Sequence, residues 1–593
     1  MAIMKRREFM QTAALAGGTA GITRLPGQEK AKPDAGNVSL DALPKRGPKP
    51  VVKGKKAVCS SSHPIVTETM LAVMKDGGNA VDAAVAGSLV QAVVEPHMSN
   101  HGGSVMFLYW EKKTGKAYQL NSRGTLVPGL PLFKPVPLGI KPYADPTPPS
   151  ACIPGFMPGL GAMHKRFGTK SWAALCQAAI QWAEEGHPVH SFEFGLLETD
   201  LPFNTYFPSC REIFTPNGFT PPVGERFKNP KLADTMRKLA AEGPEHFTRG
   251  AWAGHFIEEA NRLGWPIKME HMTAIPPHWE APFRYKYKNY EILQLGPPQR
   301  TGLFTAFVLG VLSHLDVRSL GHYTESAETL YYLAHTLRWG EFELGMLHDP
   351  DLFDVPVDVW VSDEYHKRVA AILKKSRPKI DLTAHVLLAS GKPALAAAGL
   401  PTAGPGPDLP HQGSCELSIV DPEGNWVQMM HTLQSGGIPG VAVDGVPMVG
   451  SHVALTINSG IHGWLVGGGR LRSAIGNTIV LKEGRPVLSL GTPGNVHVTI
   501  PQVLLNILDF GMDPYEASVA PRMLSLRDDY VLEIESRIPE RVVAGLAKMG
   551  VRIKPLPLYD FHMGSFQISW LDEKTGLLNG SADPRRAGKA DGF

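Results

Sequence analysis

Hydrophobic and polar positions change rhythm twice along this chain. From Ala57 to Ser61 a short strand is expected, and Pro64 to Met74 follows with helical spacing. Gly77-Gly78-Asn79 makes a turn, and Ala80 to Val94 is apolar nearly all round. A helix with no polar face belongs between other layers, so this one is expected to be buried. Strands are expected over Val105–Trp110 and Ala117–Asn121, the second ending near Arg123. Residues 160–400 read as mainly helical, with Trp172–Glu185 and Ser326–Leu344 the clearest segments. A Pro- and Gly-rich linker runs from Leu400 to Gly413. Beyond it the period drops to two, over Glu416–Val420, Trp426–Thr432, Asn477–Leu481 and Val487–Leu490. Helices are expected over Ile500–Phe510 and Pro539–Met549. Paired strands bracketed by helices predict an α+β body layered helix–sheet–sheet–helix.

Composition narrows the class. The formal net charge is +3, from 59 basic and 56 acidic residues, with no basic stripe, which argues against a nucleic-acid partner. Residues 1–25 differ from the rest. Lys5-Arg6-Arg7 precedes a weakly apolar stretch from Thr12 to Ile22, a pattern like a twin-arginine export signal. A periplasmic or secreted location is therefore expected, with residues 26–54 as leader and linker. The apolar stretch is too short and Gly-rich to span a bilayer, and no membrane span is expected elsewhere. The five cysteines are odd in number and show no metal-ligand spacing, so they read as buried small hydrophobes. His97, His101, His431, His452 and His497 likewise lack a pattern such as HExxH. No metal or other cofactor is expected.

The segment from Gly413 to Thr432 carries candidate chemistry. Two alternating strands flank Asp421-Pro422-Glu423-Gly424-Asn425, a hairpin signal. If the loop is these five residues, Val420 faces Trp426 and Ser414 faces Thr432. Opposed residues have Cβ atoms roughly 4.5–5.5 Å apart, so two hydroxyls would meet. A four-residue loop would slip the register and send Thr432 to the other face. By itself the pair is equally a structural Ser/Thr contact.

Gly413-Ser414 through Thr432 resembles the processing site and hairpin of the gamma-glutamyltransferase (gamma-glutamyltranspeptidase) family. Other matches run in the family's order. Gly77-Gly78-Asn79-Ala80-Val81-Asp82-Ala83-Ala84 resembles its GGNAxDAA helix start, Gly102-Gly103 its first glycine-rich loop, and Pro154-Gly155 its PG turn. Gly491-Thr492-Pro493-Gly494-Asn495 resembles its GSPGG loop, followed by Ala520-Pro521-Arg522 and the stretch Gly580 to Arg586. The resemblance implies a four-layer αββα N-terminal-nucleophile hydrolase sandwich. It implies a large-subunit segment, 55–413, and a small-subunit segment, 414–593, parted by self-cleavage at Gly413–Ser414 and remaining partners. Ser414 is then the nucleophile, oriented by Thr432, with the backbone N–H groups of Gly494 and Asn495 as oxyanion hole. A freed α-amine titrates near 7.7–8.0 and can serve as the base that a seryl hydroxyl needs.

The resemblance also assigns substrate contacts. Arg123 matches the family arginine that holds the substrate α-carboxylate, a role suited to a guanidinium. Ser473 keeps one hydroxyl of a serine pair whose second member is here Ala474, and Gln434 replaces an asparagine. The acidic side chains that would bind a glutamyl ammonium are absent from 457–464, where His462 and Trp464 stand instead. The expected substrate is a small-molecule amide, with water or an amine as acceptor and glutamyl specificity weakened. Two other readings stay open: an acylase of the cephalosporin or oxamate-hydrolysing sort, and an unprocessed binding or scaffold protein.

Overall fold

The structure is a computed structural model. It describes residues 39–126, 152–344, 347, 349–375, 413–433, 437–438, 440–449, 470, 473–527 and 529–593. Fourteen strands make two seven-stranded antiparallel sheets. In chain order they are β1 (Val52–Gly54), β2 (Val58–Ser61), β3 (Ser104–Glu111), β4 (Lys116–Ser122), β5 (His278–Glu280), β6 (Phe283–Tyr287) and β7 (Tyr290–Gln294). Then come β8 (Ser414–Val420), β9 (Trp426–Thr432), β10 (Thr478–Lys482), β11 (Arg485–Gly491), β12 (Gln567–Leu571), β13 (Leu578–Ala582) and β14 (Lys589–Gly592). One sheet runs β1-β13-β12-β11-β10-β7-β6 and the other β14-β2-β8-β9-β3-β4-β5. Their faces meet where β8 and β9 lie over β11 and β12.

Helices cover both outer faces. On the β8 side, α1 (Pro64–Lys75) lies over β2 and β14, α2 (Ala80–Val94) over β8 and β9, and α3 (Phe156–Phe167) over β3 and β4. Every residue of α2 is buried, as its apolar circumference requires. Asn79 caps it by accepting from Val81 and Asp82, and Asp82 accepts from the Asn79 N–H in return. On the other side α4 (Thr301–Ser313) packs on β6 and β7 and is flanked by α5 (Ala327–Leu344) and α6 (Val496–Leu508). The layering is αββα, as expected.

Two features depart from the sequence reading. The stretch taken as mainly helical contributes three strands, β5 to β7, which edge both sheets. They are short, and a two-residue turn joins β6 to β7 with Lys288 at φ 54 and Tyr287 opposite Tyr290. That turn has Lys-Asn where Asn-Gly would announce a hairpin. The space between the sheets is also less apolar than alternation implies. Glu416, Ser418 and Gln428 point into it and bond one another's surroundings: Gln428 Nε2 donates to Glu416 at 2.8 Å, and Ser418 Oγ lies 2.9 and 3.0 Å from Ser569 and Ser489. The C-terminal strand closes the second sheet, with the Phe593 N–H on the Ala57 carbonyl at 3.1 Å.

Candidate active site

The hairpin β8–β9 sets the site. Its loop is the five residues 421–425, shaped by the Asp421 carboxylate, which accepts from Glu423 N, Asn425 N and Asn425 Nδ2 at 2.8–3.0 Å. The same carboxylate accepts from Ala80 N at 2.8 Å and so ties the loop to the start of α2. Gly424 takes φ 83, a conformation that favours glycine. With that loop length Val420 pairs with Trp426, and Ser414 pairs with Thr432 at the open end. Thr432 in turn pairs with Ser104 of β3, which puts the pair inside the sheet rather than at its edge.

Three oxygens converge there. Ser414 Oγ is 2.9 Å from Thr432 Oγ1 and 2.8 Å from the Gly413 carbonyl, and Thr432 Oγ1 donates to that carbonyl at 2.6 Å. Each hydroxyl has one proton, so the consistent arrangement is a relay: Ser414 donates to Thr432, which donates to the Gly413 oxygen. The attacking oxygen and the polarised carbonyl of the same peptide bond are thereby held together. A Cβ built on Gly413 would lie 2.6 Å from Met98 Cα and 2.7 Å from the His97 carbonyl. Gly103 is under the same constraint from the other side, since its Cβ would meet the Thr432 carbonyl at 2.0 Å. The glycines at both positions let two backbones touch.

The glycine-rich loop after β11 lies on the same side of the sandwich. Gly491 packs against the Glu416 carboxylate, two residues along from Ser414 on the same strand face. Gly494 has φ 84 and rests on the Gly564 backbone. Asn495 is anchored: its backbone N–H and its Nδ2 both donate to the His562 carbonyl, at 3.2 and 2.9 Å. The sequence reading gave both N–H groups of this loop to an oxyanion. Of these two groups the Asn495 N–H is held by His562, and it must leave that carbonyl to take part.

The residues that the resemblance assigned to substrate lie on other elements. Arg123 is buried at the end of β4, its N–H on Asn121 Oδ1 at 3.2 Å. Ser473 bridges Gln299, and its carbonyl accepts from Arg300 N at 2.9 Å. Arg300 approaches Glu341 at 4.0 Å, and Glu341 bonds His497 on the first turn of α6. Gln434, His462 and Trp464 lie outside the described residues, as do residues 1–38 and 376–412.

Sequence reasoning missed the groups behind Ser414. Arg586, fully buried, donates from Nη1 to the Ser414 carbonyl at 2.7 Å. Glu95, at the end of α2, accepts from Ser62 Oγ at 2.9 Å and Cys415 Sγ at 3.4 Å. Burial raises the Glu95 carboxyl above its ordinary range. It also pulls His97 down to about 3, so that imidazole is neutral. Burial opposes ionisation of Glu193 too, but His187, bonded at 2.8 Å, outweighs it and brings the carboxyl down to about 2. Cys415 faces the helices, packed with Met98, Phe192 and Leu196, and burial raises its thiol far above the range of a nucleophile. The paired Arg585-Arg586 was a visible signal, but nothing local ties it to a strand 170 residues earlier.

Known proteins resemble this chain over most of its length. The family model for gamma-glutamyltranspeptidase matches residues 66–593. The glutathione hydrolase-like YwrD proenzyme of Bacillus subtilis (strain 168) is 26% identical over 91% of this chain and 99% of its own length. An acylase ACY 1 proenzyme of Pseudomonas sp. (strain SE83) is 24% identical over 89% and 92%. Among solved structures, the cephalosporin acylase from Bacillus halodurans superposes with a TM-score of 0.76 at 24% identity, covering 93% of this chain and 98% of that one.

Proposed function

Because the chain belongs to the gamma-glutamyltranspeptidase family of N-terminal-nucleophile hydrolases, we propose that it is an exported, self-cleaving amide hydrolase or acyltransferase that works through an acyl-Ser414 intermediate. The observation that carries this reading is the Ser414–Thr432–Gly413 relay. Ser414 Oγ attacks the Gly413 carbonyl carbon while its proton passes to Thr432, which hands its own proton to the developing oxyanion. Collapse breaks the Gly413–Ser414 C–N bond, the nitrogen takes the proton, and Gly413 is left as an ester on Ser414. Water then releases the Gly413 carboxylate and restores the hydroxyl beside a free α-amine. That amine is the general base for substrate: it takes the Ser414 proton, and the Gly494 N–H and a freed Asn495 N–H receive the oxyanion. One such donor is typically worth about 2.7–4 kcal/mol in the transition state.

Denaturing electrophoresis with N-terminal sequencing tests it. Two fragments are expected, the smaller beginning at Ser414, whereas Ser414→Ala should give one full-length band. A wild-type chain that stays whole would favour the scaffold reading instead. For the substrate, the surviving Arg123 and the missing acids of 457–464 support a carboxylate-bearing amide without a free α-amine. A glutaryl anilide should therefore exceed a γ-glutamyl anilide in kcat/KM by at least about tenfold, the worth of 1.4 kcal/mol. The reverse preference would overturn this part and restore a glutamyl substrate. Export through Arg6-Arg7 is read from cell fractions: replacing both with Lys should keep the protein in the cytoplasm.

A further inference from the structure

Two adjacent arginines near the C-terminus have opposite electrostatic fates. Arg585 is neutralised, with Nη2 2.7 Å from Glu535 and Nη1 3.2 Å from Asp583. Arg586 makes no carboxylate ion pair of that kind among the described residues. Its Nη1 goes to the Ser414 carbonyl at 2.7 Å, its Nε has no hydrogen-bond partner among the described residues, and the residue is 1% exposed. In an extended strand the N–H and C=O of one residue point to the same edge. Ser414 begins β8, and β2 pairs with that strand only from Leu417 onward, so this edge is vacated beside Ser414. The guanidinium occupies the edge toward which the Ser414 nitrogen also points.

We propose that Arg586 is a positioning residue which fixes the Ser414 backbone and, once the Gly413–Ser414 bond is cut, keeps the new α-amine unprotonated by placing a fixed positive charge beside it. This rests on the processing reading above. Like charges a few ångströms apart in a protein disfavour one another enough to move a pKa by about one unit. An ordinary α-amine, near 7.7–8.0, would then titrate close to or below 7. Among the described residues no carboxylate hydrogen-bonds this guanidinium. Burial raises the Glu95 carboxyl, whose bonds run to Ser62 and Cys415. His97 is neutral, Glu193 is engaged by His187, and Asp583 by Arg522 and Arg585. Cys415 stays a thiol, and Arg46 adds positive charge on the same side. A protonated amine cannot accept the Ser414 proton, so this charge sets the fraction of active enzyme at neutral pH.

The purified wild-type enzyme is treated with cyanate, which reacts only with neutral amines, and carbamylation of Ser414 is followed by mass spectrometry from pH 5 to 9. The expected midpoint lies about one unit below 7.7. Arg586→Gln should raise that midpoint, and the acid limb of kcat/KM, by about one unit, and Arg586→Lys should bring both back. A purely structural arginine would change yield or stability and leave the midpoint alone. A wild-type midpoint at or above 7.7, or the same midpoint in wild type and Arg586→Gln, overturns the proposal. If the glutamine variant does not fold, the wild-type midpoint and the lysine variant decide between the same outcomes. A chain never cut at 413–414 sinks the processing reading and this proposal together, whereas a chain cut there with an unshifted amine sinks this proposal alone.

Discussion

A methyl group at position 413 has nowhere to go. It would collide with the backbone of His97 and Met98, neither of which is the movable end of a side chain. Overpacking of this kind typically costs about 1–3 kcal/mol, and the strain falls on the carbonyl that Ser414 must reach. Gly413→Ala should slow conversion to two fragments by tenfold or more, read as a time course on denaturing gels. Glu416 is the other residue whose position predicts behaviour. Burial between the sheets pushes its carboxyl up to about 8, so the folded chain holds it protonated at neutral pH. The unfolded chain loses that proton near 4.3, so stability is greatest below that pH and falls as pH rises toward 8. Glu416→Gln removes the penalty. Its unfolding free energy should match wild type near pH 4 and exceed it at pH 7.5, by on the order of 4 kcal/mol. The Ser414–Thr432 pairing was legible because a five-residue loop fixes the register of two alternating strands. Arg586 and Glu95 were not, because their partners are set by topology rather than by spacing.

At the scale of elements, one carboxylate governs the register. Asp421 closes the five-residue loop and reaches the first N–H of α2, so hairpin and helix are placed together. Asp421→Ala leaves buried donors unmet, a loss of roughly 1–3 kcal/mol. Urea unfolding should show that loss, and self-cleavage should slow, because the Ser414–Thr432 pairing depends on the loop length. The turn chemistry of 421–425 was readable in the sequence, but two loop lengths fitted it and Asp421's bond to Ala80 decides between them. β5 to β7 escaped notice for the opposite reason. They are short, their turn residues are atypical, and they are strands because two sheet edges are there to receive them.

Across the whole molecule the segments on either side of Gly413 are interleaved. β2 lies between β14 and β8, and β13 lies between β1 and β12, so each sheet contains strands from both sides of the Gly413–Ser414 bond. Separating them means breaking whole ladders between buried strands. The two fragments should therefore co-elute on size exclusion under native conditions and part only in denaturant. Two peaks in native buffer would contradict the strand order.

The contact between Phe593 and Ala57 has a practical consequence for the chain's connectivity. The end of β14 and the start of β2 are neighbours, so a short linker can join them across the surface, the situation in which circular permutation is tolerated. A gene rearranged to run from Ser414 to Phe593, through the linker, and on from Ala57 to Gly413 would encode the sandwich without its edge strand β1, with Ser414 directly after the initiator methionine. Ordinary methionine removal ahead of a small residue would then expose the nucleophile without any self-cleavage. Such a permutant should hydrolyse amide substrate even when it carries Gly413→Ala, which separates the chemistry of maturation from the chemistry of turnover in a single polypeptide.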